Sequence, residues 1–206
     1  MRFDMLPCRP MQETFSDACG GGADIADCAF VDDSARQDLF GLDITRCRFS
    51  GCRLSECDFT RTTMTDVLFE RCDLSGTIFR DAGLHRVTFR DCRALGARFD
   101  GALWDHVTVQ DGTFNYVNLI RAEWRHCTLS AAFRDAALSE LTVRETDVTG
   151  CDFSRADWSR ARIAGLDLTA AQIEGAVFSV DGLGGVIVSQ MQAAELARLL
   201  GLVIHN

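Results

Sequence analysis

The 206-residue chain is 47% hydrophobic and 25% charged, the composition of a folded protein rather than a disordered one. Its formal net charge of −9 argues against direct nucleic-acid binding, which calls for a basic face. No run approaches the roughly 18 apolar residues of a membrane span, so neither nucleic acid nor membrane is an expected partner.

The opening MRFDMLPCRP lacks the charged start and apolar stretch of a secretory signal, so a cytoplasmic location is expected. In that compartment the ten cysteines are expected to stay reduced and pack as small hydrophobes. Pro7, Pro10 and the glycines at 20–22 suggest an irregular lead-in over residues 1–22. Ile25 and Phe30, preceded two places earlier by the small residues Ala23 and Cys28, read as a first coil out of phase with the later ones.

From Leu39 a beat of five begins. Every fifth residue from Leu39 to Leu129 is apolar, the next arrives one place early at Phe133, and the interval of five then holds to Phe178. No helix or strand has that period, so it belongs to a repeat architecture. Two residues before most of these centres stands a small side chain, as at Cys47, Cys72, Ala97, Ala122, Cys151 and Ala161. A large centre with a small companion, both inward, leaves the remaining three positions of each unit polar and outward. CDLSG (72–76) and CDFSR (151–155) resemble the unit of the pentapeptide-repeat family, and the resemblance runs over about residues 23–180. It implies an all-β fold, a right-handed quadrilateral β-helix with one pentapeptide per side and 20 residues per coil. About seven coils, with strands ~4.8 Å apart, give a stack roughly 35 Å long.

At that coil length, residues twenty apart are neighbours. Phe49, Phe69 and Phe89 then form one column, Phe59, Phe79 and Phe99 another, and Trp104 lies against Trp124, like on like as a solenoid core favours. Charges alternate in the same way: Asp66 lies between Arg46 and Arg86, Asp73 between Arg53 and Arg93, and Arg61–Asp81, Arg71–Asp91, Glu70–Arg90 and Arg80–Asp100 are further pairs. Residues 44–105 balance nine acids with ten arginines, whereas residues 106–185 set eleven acids against seven. Asp147, Asp152, Asp157 and Asp167 have no arginine at coil spacing and form the candidate acidic, partner-binding surface.

Little else points to chemistry. Cys52, Cys72 and Cys92 share an inward column within disulfide reach but read as core filler. His106 and His126 stack two residues after the tryptophans, with Glu145 one coil further on, yet no third ligand stands out, and neither metal nor cofactor is expected. GLGG (182–185) lacks the Lys-Ser/Thr of a phosphate loop, there is no G-x-S-x-G elbow, and no enzyme is expected.

Residues 181–206 read as a capping and dimerisation segment. Val186–Val188 suggests a short β run, Ser189 an N-cap, residues 190–200 a short helix, Gly201 its stop, and Leu202–Ile204 a second apolar run. The apolar residues of the helix span a wide arc, broader than a simple cap needs. Met191, Ala194, Leu196, Leu199, Leu200 and Leu202 are therefore the candidate dimer contacts, a symmetric pair being the simplest arrangement. QAAELARLLGLVI (192–204) and DCRALGARF (91–99) resemble stretches of the topoisomerase-protecting branch of the family, the quinolone-resistance and albicidin-resistance proteins. That resemblance implies a cytoplasmic homodimer that mimics duplex DNA, binds DNA gyrase or topoisomerase IV, and protects it from topoisomerase poisons. Several members of that branch carry loops between coils; here only the one-residue deficit at Ser130–Ala132 interrupts the count. The alternative is a structural or scaffolding repeat protein with another partner, since fold alone does not fix function.

Overall fold

The computed structural model describes residues 3–21 and 24–202. The beat of five folds into a parallel β-solenoid of about eight turns. One side stacks Ile25–Ala26, Asp43–Thr45, Thr63–Thr65, Gly83–His85, Leu103–Asp105, Glu123–Arg125 and Thr142–Arg144. The next stacks Ala29–Val31, Arg48–Ser50, Leu68–Glu70, Thr88–Arg90, Thr108–Thr113 and Thr128–Ala132. The other two sides are columns of single bridges, one running through Ser34, Arg53, Asp73, Arg93 and Thr113, the other through Asp38, Asp58, Ile78, Arg98, Asn118, Ala137 and Asp157. The expected coil length is met: Ile44, Met64, Leu84, Trp104 and Trp124 pair in succession.

All the large centres from Leu39 to Phe178 are buried, none more than 6% exposed. The aromatic columns form as expected, with ring centroids 4.8 Å apart for Phe49–Phe69, 5.1 Å for Phe59–Phe79, 4.6 Å for Phe79–Phe99 and 5.7 Å for Trp104–Trp124. The strand spacing sets this distance, so a flat ring on each coil packs on the ring beneath it. The small companions do more than leave room. Thr62 and Thr77 donate their hydroxyls to the carbonyls of Leu39 and Leu54, at 2.9 and 2.8 Å. Cys52, Cys72 and Cys92 turn their thiols to backbone carbonyls in the same fashion. All ten cysteines are free, and eight of them are buried.

The corners explain the period. From Gly41 to His126 every fifth residue has a positive φ, and the turn is made there whether the residue is Gly, Asp, Arg, Glu, His or Tyr. The series then jumps nine places, from His126 to Asp135. The missing corner is the one-residue deficit in the sequence. In place of a turn, Thr128–Ala132 runs on as a strand beside Thr108–Thr113, pairing Gln110 with Ser130 and Gly112 with Ala131, so that Asp111 is left over as a bulge. Only glycine fits at 112, because a Cβ there would lie 2.8 Å from the ring of Phe114.

The lead-in departs from the sequence expectation. Rather than irregular, it is a helix, α1 (Met11–Gly21), that closes the open end of the coil stack. Met11, Phe15 and Ala18 lie on one face and are buried, with the Phe15 ring edge-on to Phe30 at 5.5 Å. Asp33 accepts the Met11 N–H at 2.7 Å and so satisfies one free donor at the helix start. The two prolines precede this helix and Gly20 and Gly21 form its last residues, so neither breaks it, which is why their presence misled.

At the other end, α2 (Gln190–Ala197) begins at Ser189 as expected, in a full capping box with Gln192, and continues as a 3-10 turn over Arg198–Leu200 before Gly201 stops it in the left-handed region. Of the expected run Val186–Val188, only Ile187 pairs, with Asp167. Ala23, Val203, Ile204 and His205 lie outside the described residues, as does the side chain of Leu200. No helix among the described residues is long and apolar enough to cross a membrane.

Candidate functional site

The four aspartates of the candidate surface divide into two pairs. Asp147 and Asp167 are exposed and lie one coil apart. Each accepts the backbone N–H two residues on, from Thr149 and Thr169, both at 2.9 Å, so one carboxylate oxygen is tied down. These threonine bonds hold both carboxyls below the usual carboxylate range, and for Asp147 they outweigh the opposing push of the nearby Asp167 charge. Among the described residues neither makes an ion pair. With Glu145 they line an open cleft of about 600 Å³, together with Val143, Thr146, Ala164, Gly165 and Leu166.

Asp152 and Asp157 correct the sequence expectation. Asp152 is buried and pairs with Arg134 at 2.5 Å. Burial opposes its ionisation, yet bonds from Ser154 and Arg134 keep its carboxyl below the ordinary value. Asp157 is half-buried and accepts from the hydroxyls of Ser139 and Ser159. Neither offers the free negative charge that the absence of an arginine at coil spacing suggested. Arg134 reaches Asp152 on the diagonal, two places off the column, a distance a long side chain spans.

The charge ladders are likewise only partly as expected. Asp66–Arg86 (2.7 Å), Glu70–Arg90 (3.3 Å) and Arg80–Asp100 (2.8 Å) form. Arg46 instead pairs with Asp27 at 2.5 Å, Arg71 turns to Glu70 and Ser50, and Arg61 lies over the exposed ring of Phe40. Arg36–Glu56, Arg155–Asp135 and Arg160–Glu140 are ladder pairs the sequence reading missed, although each stands at coil spacing.

The candidate dimer contacts also separate. Met191 is 83% exposed, Leu202 56% and Leu199 43%, whereas Ala194 and Leu196 are half-buried and Leu196 packs on its own coil stack. Beside them Val180, Leu183, Val186, Val188, Ala193, Leu196 and Ala197 line an open apolar groove of about 300 Å³. The buried residue of α2 is polar: Gln192 donates to the carbonyls of Leu168 and Ala171, at 2.7 and 2.9 Å, and so caps the end of the coil.

Among the described residues, one group could hold a metal. Asp105, His106 and His126 place donor atoms within 4.8 Å of one another. Asp105 is the third candidate ligand that sequence reasoning passed over, because it adjoins His106 in sequence and lies on the diagonal from His126. By contrast, burial pushes the Cys127 thiol up to about 11 and the Cys151 thiol up to about 12, away from the reactive thiolate form.

Comparisons with known proteins agree with the repeat. The family described as pentapeptide repeat region matches residues 42–119, and that described as pentapeptide repeats (8 copies) matches residues 144–179; together they take in more than half of the chain. No curated protein matches. Among solved structures, a trypsin-treated form of QnrB1, a plasmid-mediated fluoroquinolone resistance protein, is 24% identical, covers 97% of each chain and has a TM-score of 0.48. HetL, a pentapeptide repeat protein involved in heterocyst differentiation regulation from the cyanobacterium Nostoc sp. strain PCC 7120, is 17% identical over 87% of this chain and 94% of its own, with a TM-score of 0.41.

Proposed function

The chain belongs to the pentapeptide-repeat family, and from that premise we propose that it is a homodimeric, cytoplasmic β-helical rod that binds DNA gyrase or topoisomerase IV in place of duplex DNA and so protects the enzyme from poisons that trap cleaved DNA. No bond is made or broken by the rod itself. The observation that carries the reading is the pair Asp147 and Asp167, exposed, ionised and free of cation neighbours among the described residues. A surface built to hold duplex DNA is basic, and fixed carboxylates compete for it on the same electrostatic terms as phosphates. The balanced middle of the rod, where Glu70 and Asp100 are taken up by arginines, contributes less. Two further features support the reading: residues 192–204 resemble the C-terminal segment of the topoisomerase-protecting branch, and Met191, Leu199 and Leu202 leave apolar surface uncovered beside the groove at that end. A second copy covers it most simply, by a two-fold interface.

The test is a supercoiling assay with purified gyrase and a quinolone or albicidin. Added protein is expected to restore supercoiling, and the same protein should bind gyrase or topoisomerase IV directly. No rescue with any poison, together with no binding to either enzyme, overturns the proposal in favour of a scaffolding role. Light scattering checks the dimer separately: the full chain should run as a dimer, and removal of residues 190–206 should give monomers or aggregates.

A further inference from the structure

Asp105 ends the strand Leu103–Asp105, and the next residue, His106, makes the corner with a left-handed backbone. One coil on, His126 makes the equivalent corner after the strand Glu123–Arg125. The coil register therefore lays one imidazole on the other, with ring centroids 4.6 Å apart and planes 23° from parallel. Both rings turn the same nitrogen to the same oxygen. Nδ1 of His106 is 3.0 Å, and Nδ1 of His126 3.3 Å, from Oδ1 of Asp105. Ligands about 2.0–2.1 Å from a tetrahedral Zn²⁺ are separated by roughly 3.3 Å, so these distances are those of ligand edges.

The surrounding groups fix this arrangement. His85, one coil back, approaches the other oxygen of Asp105, with Nδ1 3.4 Å from Oδ2. Glu145, one coil ahead, lies 3.4 Å from Nε2 of His126, on the side of that ring away from Asp105. A carboxylate on the outer nitrogen of a ligating histidine sets its tautomer and orients its ring. The nearby cations are occupied: Arg86 is bonded to Asp66 at 2.7 Å and Arg125 to Glu123 at 2.7 Å. All three donor residues reach the surface, so a fourth position is open to water.

We propose that Asp105, His106 and His126 form a binding site for a divalent transition-metal ion of the zinc type, which clips two successive coils together at one corner. Two imidazoles and a carboxylate suit Zn²⁺, Co²⁺ or Ni²⁺ rather than Mg²⁺ or Ca²⁺. The clip lies one corner before the bulge at Asp111, where the coils pass from twenty residues to nineteen.

The experiment uses tag-free, full-length protein carrying Cys8→Ser and Cys19→Ser, which removes the two exposed thiols as competing ligands. Zn²⁺ titration by calorimetry should give one ion per chain, and a saturating excess of about 100 times Kd should raise Tm by about 5 °C or more. Co²⁺ should give the visible spectrum of a nitrogen- and oxygen-ligated site and shift the imidazole proton resonances of His106 and His126. His106→Asn with His126→Asn keeps a residue type at ease in the left-handed region, so the coil should still fold, while affinity falls by about 100-fold or more. Glu145→Gln should weaken binding by about 10-fold. Uptake unchanged in the double variant, or no uptake by the parent protein and no shift of those two histidines, overturns the proposal.

Discussion

From Gly41 to His126 each corner of the coil turns on a single residue with a left-handed backbone, and most of these residues are not glycine. For an ordinary side chain that conformation costs about 1–2 kcal/mol, a strain the stacked coils impose through the hydrogen bonds on either side. Arg121 is one such corner, with φ 59° and an exposed side chain. Arg121→Gly should therefore raise stability by about 0.5–1 kcal/mol after allowing for the greater freedom of glycine in the unfolded chain, read as a higher urea midpoint. Glu70 shows the opposite dependence. Its carboxylate, with its side chain only 12% exposed, lies 2.9 Å from Arg48, 3.3 Å from Arg90 and 3.6 Å from Arg71. The bond from Arg48, above all, holds its carboxyl below the ordinary 4.5. A carboxyl whose pKa is lowered by folding contributes stability that is complete above its unfolded value and lost as pH falls through its native one. Glu70→Gln should thus cost about 1–2 kcal/mol near pH 7, and the gap between variant and parent should close as pH falls below about 4.

The helices act as elements that close the two ends, and they do so by different means. α1 closes its end with apolar side chains, Phe15 against Phe30 and Phe49. α2 closes its end largely with a hydrogen-bonding side chain, Gln192, whose amide serves the carbonyls of Leu168 and Ala171 while its oxygen accepts from Ser189. Gln192→Ala removes the side-chain partner of the Ala171 carbonyl and of the Ser189 N–H and leaves the Leu168 carbonyl with the Ala171 N–H alone, at a cost of about 2 kcal/mol. The loss should appear first as faster hydrogen exchange at the amides of Leu168 and Gln192, while the amides of the middle coils keep their protection. Uniform loss across the whole chain would mean that the cap and the coils unfold as one unit.

At the scale of the whole molecule, the rod is uneven in charge rather than uniformly acidic. Arginine and acid are matched along residues 44–105, whereas acids outnumber arginines along residues 106–185, where Asp147 and Asp167 stand exposed. Binding to a topoisomerase should therefore depend on that face. Asp147→Asn with Asp167→Asn should weaken binding and flatten its dependence on salt, because the removed charges are exposed and screened by ions. The same changes at Asp152 and Asp157 should alter stability more than binding, since one pairs with Arg134 and the other is held by two serines. Salt titrations of the two double variants separate these outcomes.

The sequence by itself determined the coil. Because inward positions recur every five residues along the chain, the stack of Phe49, Phe69 and Phe89 is written in their spacing, and Ser189 and Gly201 mark the limits of the last helical segment through local backbone chemistry. Even the deficit at Ser130–Ala132 is visible in the count, though only the folded chain shows that it deletes a corner and leaves Asp111 as a bulge. What tertiary structure alone decided was which outward side chains meet. Arg134 finds Asp152, and His126 finds Asp105, across diagonals that lie off the twenty-residue column. Arg46 finds Asp27 because the first coil is a residue short. The inward pattern is fixed by a backbone period that every unit repeats. The outward contacts depend on the reach of long side chains and on small changes in coil length, neither of which a period records.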